Sequence, residues 1–98
     1  MLETCLGTNR NKKFYREDKI VKIYGIDWVP FNIEKAAQKL ASPEEMTILM
    51  CDIHKMPFSD DSFDTVVDTF GLECCYDVEK AFDEMVRLTK KNGKILLL

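Results

Sequence analysis

Short apolar runs rich in Ile, Val and Leu alternate along this chain with segments whose apolar residues recur every three or four positions. Alternation of that kind marks strands joined by helices, and therefore βαβ units with a parallel sheet. Five strands are expected, at Met1 to Thr4, Ile20 to Ile26, Thr47 to Cys51, Thr65 to Asp68 and Lys94 to Leu98. Their near-continuous apolar character suits strands covered on both faces. Between the second and third, Ile33, Ala36, Ala37 and Leu40 share one helical face, and Ser42-Pro43 closes it. Val78, Ala81, Phe82, Met85 and Leu88 form a second stripe, with Lys90, Lys91, Asn92 and Gly93 expected to mark its C-terminus. A short polar helix is expected around Thr8 to Arg16, capped by Thr8 or Asn9.

Right-handed crossovers wind such a chain outwards from a central first strand. The expected fold is α/β, a doubly wound parallel sheet of order 3-2-1-4-5 in three αβα layers. Ninety-eight residues suffice for one layered core, so a single domain over 1–98 is expected. Ligands in these sheets bind beyond the carboxyl ends of the strands, where the winding reverses. The residues directly after each strand therefore carry the candidate chemistry.

Composition narrows the partners. A hydrophobic content of 46% with 32% charged residues is that of a folding chain. The formal net charge of -3 lacks the basic footprint of a nucleic-acid binder. No apolar run reaches the roughly 18 residues that span a bilayer, and no signal-peptide pattern is present. Cys5, Cys51, Cys74 and Cys75 lack any C-x-x-C spacing, so neither a zinc site nor a redox pair is indicated, and a strained vicinal Cys74–Cys75 disulfide is the minor alternative. They read as reduced core thiols, and so as a sign of an intracellular, reducing compartment.

An acid stands in or directly after the C-terminal end of each of the first four strands. Glu3 precedes the turn Cys5-Leu6-Gly7-Thr8-Asn9; Gly25-Ile26-Asp27 follows, with Asp27 20 residues beyond Gly7; Asp52-Ile53-His54 and Asp68-Thr69-Phe70 come later. A carboxylate some 20 residues past a glycine turn is where dinucleotide-type folds meet ribose hydroxyls, because one carboxylate accepts two donors. Asp27 has a plainer alternative, capping the helix that begins near Pro30.

The series Leu2-Glu3, Gly7-Thr8, Gly25-Ile26-Asp27, Asp52, Pro57-Phe58, Ser62-Phe63-Asp64, Arg87-Leu88 and Asn92-Gly93-Lys94 resembles class I S-adenosylmethionine-dependent methyltransferases with a Rossmann-like fold. Within them it is most similar to the methyltransferase-11 group, which includes quinone-biosynthesis C-methyltransferases, and to eukaryotic methyltransferase-like proteins of mitochondria and membranes. The resemblance implies S-adenosylmethionine as cofactor. It implies that Glu3, Thr4 and the turn of Gly7, Thr8 and Asn9 lie near the methionine moiety. Asp27 would hold the ribose hydroxyls, Trp28 lie against the adenine, and Asp52 accept the adenine amino group. The Ile53 amide would reach a ring nitrogen, and Thr69 and Phe70 border the methyl-donor end. The family turn reads acidic-x-Gly-x-Gly-x-Gly, whereas Cys5 and Asn9 stand at its first and third glycine positions. Asn tolerates a left-handed backbone better than most residues.

The resemblance further implies a seven-stranded fold of which this chain holds the first five strands, leaving the acceptor pocket elsewhere. A small-molecule or lipid-like methyl acceptor is implied, with no catalytic residue assigned, since displacement at a sulfonium methyl depends mainly on placement. Two other readings stand beside it: a binding module that keeps the fold without catalysis, and a dinucleotide-dependent oxidoreductase. The last strand, Ile95-Leu96-Leu97-Leu98, is expected to leave an edge open to self-association. His54 reads as a solvated loop residue, with a base or a place over the adenine as the alternative, and Phe31 reads as core. Asp60, Asp61 and Asp64 read as a turn without the ligand spacing of a calcium loop, and Lys12, Lys13 and Arg16 as a solvated face.

Overall fold

A computed structural model describes residues 1–16, 19, 20 and 22–98. Five strands, β1 (Leu2–Thr4), β2 (Tyr24–Asp27), β3 (Thr47–Met50), β4 (Phe63–Asp68) and β5 (Thr89–Leu97), form one sheet. All pairings are parallel and the order is β3-β2-β1-β4-β5, as expected from the pattern. The helices α1 (Pro30–Gln38) and α2 (Val78–Leu88) occupy the crossovers from β2 to β3 and from β4 to β5. Because the chain winds outwards in both directions from β1, right-handed crossovers place the two helices on opposite faces.

Each face has its own core. On one, Ala81, Met85 and Leu88 of α2 pack with Leu2, Ile26, Ile53, Phe63 and Val66. Met85 and Leu88 are fully buried, and burial of such side chains is worth about 1.5–3 kcal/mol each. On the other, Ala36 of α1 packs with Leu6, Ile23 and Met46. Val78 and Phe82, counted with the α2 stripe, remain 47% and 37% exposed, so the buried seam is narrower than the sequence implies.

Three elements differ from expectation. Residues 8–16 form turns and a single 3-10 turn at Lys12–Phe14 rather than a helix, because Gly7 and Asn9 both take positive φ, 61° and 67°, which a right-handed helix cannot accommodate. The second strand begins at Tyr24; of its expected start at Ile20, Val21 lies outside the described residues. Lys90 to Gly93 do not cap α2. The helix passes directly into β5, and these residues bulge out of register between the pairs Phe63↔Thr89 and Thr65↔Lys94. Gly93 is required there: a Cβ on it would lie 2.6 Å from the Asp64 carbonyl oxygen.

Candidate functional site

The carboxyl ends of β1 to β4 converge on a cleft of about 320 Å³ between β1 and β4, the point where winding reverses. Gly7, Asp27, Trp28, Asp52, Ile53, Thr69 and Phe70, all expected at the site, line it. A second recess of about 460 Å³ adjoins it, sharing Cys5, Gly7, Asn32, Thr69 and Phe70 and adding Glu3, Thr8, Arg10 and Asn11.

Asp27 joins the two turns above the cleft. Its Oδ2 accepts the Gly7 amide at 2.8 Å and its Oδ1 the Val29 amide at 2.9 Å, just ahead of α1. Asp27 is not the N-cap of α1, which is Val29 without a side-chain cap bond; it holds the Val29 amide from two residues upstream and also lines the cleft. Asn32 Nδ2 also lies 3.5 Å from both oxygens, a long shared contact beside the two short amide bonds.

The β1 turn keeps three left-handed residues in alternate positions, Cys5 (φ 51°), Gly7 and Asn9. A non-glycine residue in this region costs about 1–2 kcal/mol. Asn9 is buried, with its Nδ2 3.5 Å from the Ala36 carbonyl, so its side chain is turned beneath α1 and away from the cleft. Thr4 is also fully buried, donating to Asp68 Oδ1 at 2.9 Å, and lines neither recess. Cys5 borders the cleft, and its side chain occupies the space beside Gly71, where an added Cβ would come within 2.2 Å of the Cys5 Cβ.

Glu3 is almost wholly buried yet borders the second recess. Its carboxylate accepts the Tyr15 hydroxyl at 2.5 Å and Asn11 Nδ2 at 3.1 Å. Burial raises its pKa above the ordinary carboxyl value, with these two bonds partly offsetting it. The same Asn11 nitrogen also lies 2.9 Å from Thr69 Oγ1, tying the recess wall together. Phe70 is strained, with φ 58°, and 69% exposed, so its ring projects at the boundary between the two recesses.

Sequence reasoning passed over Asp68 and misread His54. Buried Asp68 holds the loop after β4 through Oδ2, which accepts the Gly71 and Leu72 amides at 3.0 and 2.9 Å. Its position as the last residue of a strand, like that of Asp27, is the signal that marks it. His54 is buried, not solvated, with Nδ1 2.6 Å from Asp52 Oδ1. Phe31 is exposed rather than in the core. Lys12 pairs with Glu45 at 2.5 Å, and Asp60 and Asp64 pair with Arg87 and Lys90. Among the described residues no group of His, Cys, Asp and Glu is arranged to hold a metal ion, and no helix is long and apolar enough to cross a membrane.

All four cysteines line the cleft. None is disulfide-bonded, and they are half-buried or, for Cys74, exposed, which corrects their reading as core residues. Burial pushes the Cys5 thiol well above its ordinary value and Cys51 to about 11, so neither is a thiolate at neutral pH.

The profile of a methyltransferase domain, the methyltransferase-11 family, matches residues 2–97. This chain belongs to that family. It is 34% identical over 65 residues to a demethylmenaquinone methyltransferase of Clavibacter sepedonicus, covering 66% of this chain and 26% of that protein. It is 32% identical over 88 residues to a ubiquinone/menaquinone biosynthesis C-methyltransferase of Geotalea daltonii, covering 85% of this chain and 37% of the relative. The chain thus spans well under half the length of either. Among solved structures, a putative S-adenosylmethionine-dependent methyltransferase from Methanococcus maripaludis superposes with a TM-score of 0.89 at 22% identity, over 98% of this chain and 45% of that one. At that identity the likeness establishes the fold.

Proposed function

We propose that this chain supplies the S-adenosylmethionine site of a methyltransferase. One observation carries the reading over a dinucleotide site: the Gly7 amide, which a pyrophosphate would need, is already donated to Asp27. The Asn9 amide is likewise engaged, with the Leu6 carbonyl. Glu3, in β1 and bordering the recess beside the turn, disfavours a pyrophosphate there but suits a sulfonium cation. Within this reading Asp27 accepts the ribose hydroxyls, Asp52 the adenine amino group, and the recess beside Glu3 takes the methionine end.

The cofactor supplies an activated methyl group, and the chain's residues hold it and shield it from water. The acceptor in this reading is a small or lipid-like molecule. The quinone-directed names of the relatives support this, as do the exposed apolar side chains of Trp28, Phe70 and Tyr76 around the cleft. The four unpaired thiols support a reducing compartment. β5 is a sheet edge bearing exposed Leu96 and Leu97, with exposed Leu98 after it, which supports self-association of these residues; a monodisperse monomer in sedimentation would end that part of the proposal.

Trp28 is the only tryptophan, lines the cleft and is 62% exposed, so its fluorescence reports directly on occupancy. Titration with S-adenosylhomocysteine is expected to give a saturable change that NAD does not. A response to NAD alone, or no response to either, overturns the proposal.

A further inference from the structure

We propose that His54 is a positioning residue that sets base specificity, by pinning one oxygen of Asp52 so that the other is presented to the cleft. The inference rests on the reading of the cleft as an adenosyl site. Asp52 follows β3 and begins a tight turn in which its Oδ1 accepts the backbone amide of His54 at 2.8 Å. The His54 ring folds back onto the same oxygen, with Nδ1 at 2.6 Å. One residue thus supplies both donors to one carboxylate oxygen.

The ring's protonation follows from its other partner. The Asp77 backbone amide donates to His54 Nε2 at 3.3 Å, so Nε2 is the acceptor and the proton resides on Nδ1, facing Asp52. Asp77 is itself the N-cap of α2, its Oδ1 accepting the Lys80 amide at 3.0 Å. A continuous series of bonds therefore runs from a rigid helix end through the imidazole to the carboxylate. The ring stands in a fixed plane, stacked on Tyr76 with centroids 3.7 Å apart and 24° between planes. Burial of His54, against the half-exposed Asp52 side chain, means the anchor is inside and the presented group outside. The bonds from the His54 amide and ring also keep the Asp52 carboxyl below its ordinary range, so it is an acceptor without a proton.

With Oδ1 saturated, Oδ2 is the acceptor left for a ligand. It takes the Tyr76 hydroxyl at 3.2 Å and retains a second lone pair. A fixed oxygen that only accepts recognises a 6-amino purine and rejects a 6-oxo purine, whose carbonyl would meet it acceptor to acceptor. Without the His54 ring only the backbone amide of residue 54 stays on Oδ1, the carboxylate turns more freely about that one bond, and the discrimination weakens.

Binding of S-adenosylhomocysteine and S-inosylhomocysteine is measured by titration calorimetry on the unmodified protein and on three variants, each shown to be folded by circular dichroism. The unmodified protein is expected to favour the adenosyl compound by about 10-fold, the effect of one acceptor facing an acceptor at a partly exposed site. His54→Phe keeps the stacked ring and the residue-54 amide bond but loses the ring nitrogens, and is expected to lower the ratio several-fold. His54→Asn keeps a donor at the place of Nδ1 and is expected to restore most of it. Asp52→Asn is the independent arm, because it does not disturb the His54 ring. The two His54 donors hold its amide oxygen and leave the amide nitrogen facing the cleft, so preference is expected to invert towards the inosyl compound. A purely structural His54 would lower both affinities together and leave the ratio unchanged in His54→Phe; that result, or Asp52→Asn without inversion, overturns the inference. With adenosyl binding intact, an unchanged ratio in His54→Phe overturns only the role of His54 and a failure of Asp52→Asn to invert also removes Asp52 from base recognition, whereas failure of the unmodified protein to bind either compound overturns the cofactor reading and this inference with it.

Discussion

The carboxylate of Asp27 and the amide of Gly7, 20 residues apart, meet at 2.8 Å above the carboxyl ends of β1 and β2. Through its other oxygen Asp27 also holds the Val29 amide ahead of α1. Asp27→Ala is therefore expected to weaken the ligand-free protein by about 1–2 kcal/mol, comparable with the loss of a helix-capping side chain. Urea unfolding without ligand measures this. An Asp27→Ala variant that keeps full stability but loses S-adenosylhomocysteine would assign the residue to the ligand alone.

Cys5 and Gly71 are sterically complementary, since a Cβ on Gly71 would lie 2.2 Å from the Cys5 Cβ and 2.6 Å from its sulfur. Gly71→Ala alone is expected to cost about 3 kcal/mol by overpacking. In a Cys5→Gly background the cost is expected to fall by about 1–2 kcal/mol, with a residue remaining because the same Cβ is 2.7 Å from Asp68 Oδ1. A double-mutant cycle by thermal unfolding gives the coupling; additive effects would refute it.

Burial holds the Glu3 carboxyl above its ordinary pKa, so ionisation opposes folding. The associated stability is fully present below the unfolded carboxyl value, about 4.3, and is lost as pH rises through the raised folded value. Glu3→Gln is expected to gain about 1 kcal/mol at pH 8, with a reoriented Asn11 amide accommodating the new side chain. The gain is expected to disappear near pH 4. Urea midpoints at the two pH values decide it, and a pH-independent difference would exclude the titration of Glu3 as its source.

Arg87 latches the segment that carries Asp52 and His54. Its guanidinium donates to the carbonyls of Met56 and Phe58 at 3.2 and 2.9 Å, to Asp60 at 2.8 Å, and to Glu84. Lysine cannot reproduce this fork, so Arg87→Lys is expected to cost about 2 kcal/mol. Arg87 also holds the Glu84 carboxyl below its ordinary range. That stability is present above the unfolded carboxyl value and lost as pH falls through the folded one. The acid unfolding midpoint of Arg87→Lys is expected to move to higher pH, and an unchanged acid limb would count against the latch.

Strands, sheet order and the acids at the strand ends were legible in the sequence because they depend on local pattern. Apolar runs separated by two helical stripes admit few right-handed parallel windings, and the residues after the strands must then converge. Val78 and Phe82 show where local pattern stops being informative: their spacing is helical, but it is the packing of Ala81, Met85 and Leu88 that decides which face is covered.

The sequence by itself determined a doubly wound α/β fold and the placing of Asp27, Asp52 and Thr69 around one cleft, since period and spacing are properties of the chain. Tertiary structure alone decided how the remaining polar groups are spent. Thr4 is consumed by Asp68 and Asn9 is folded beneath α1. His54 is drawn from a polar loop into a buried link between α2 and Asp52. The physical reason is that hydrogen bonds between residues 20 to 64 positions apart are fixed only when the strands and helices that carry them are packed together, and no local sequence pattern encodes them.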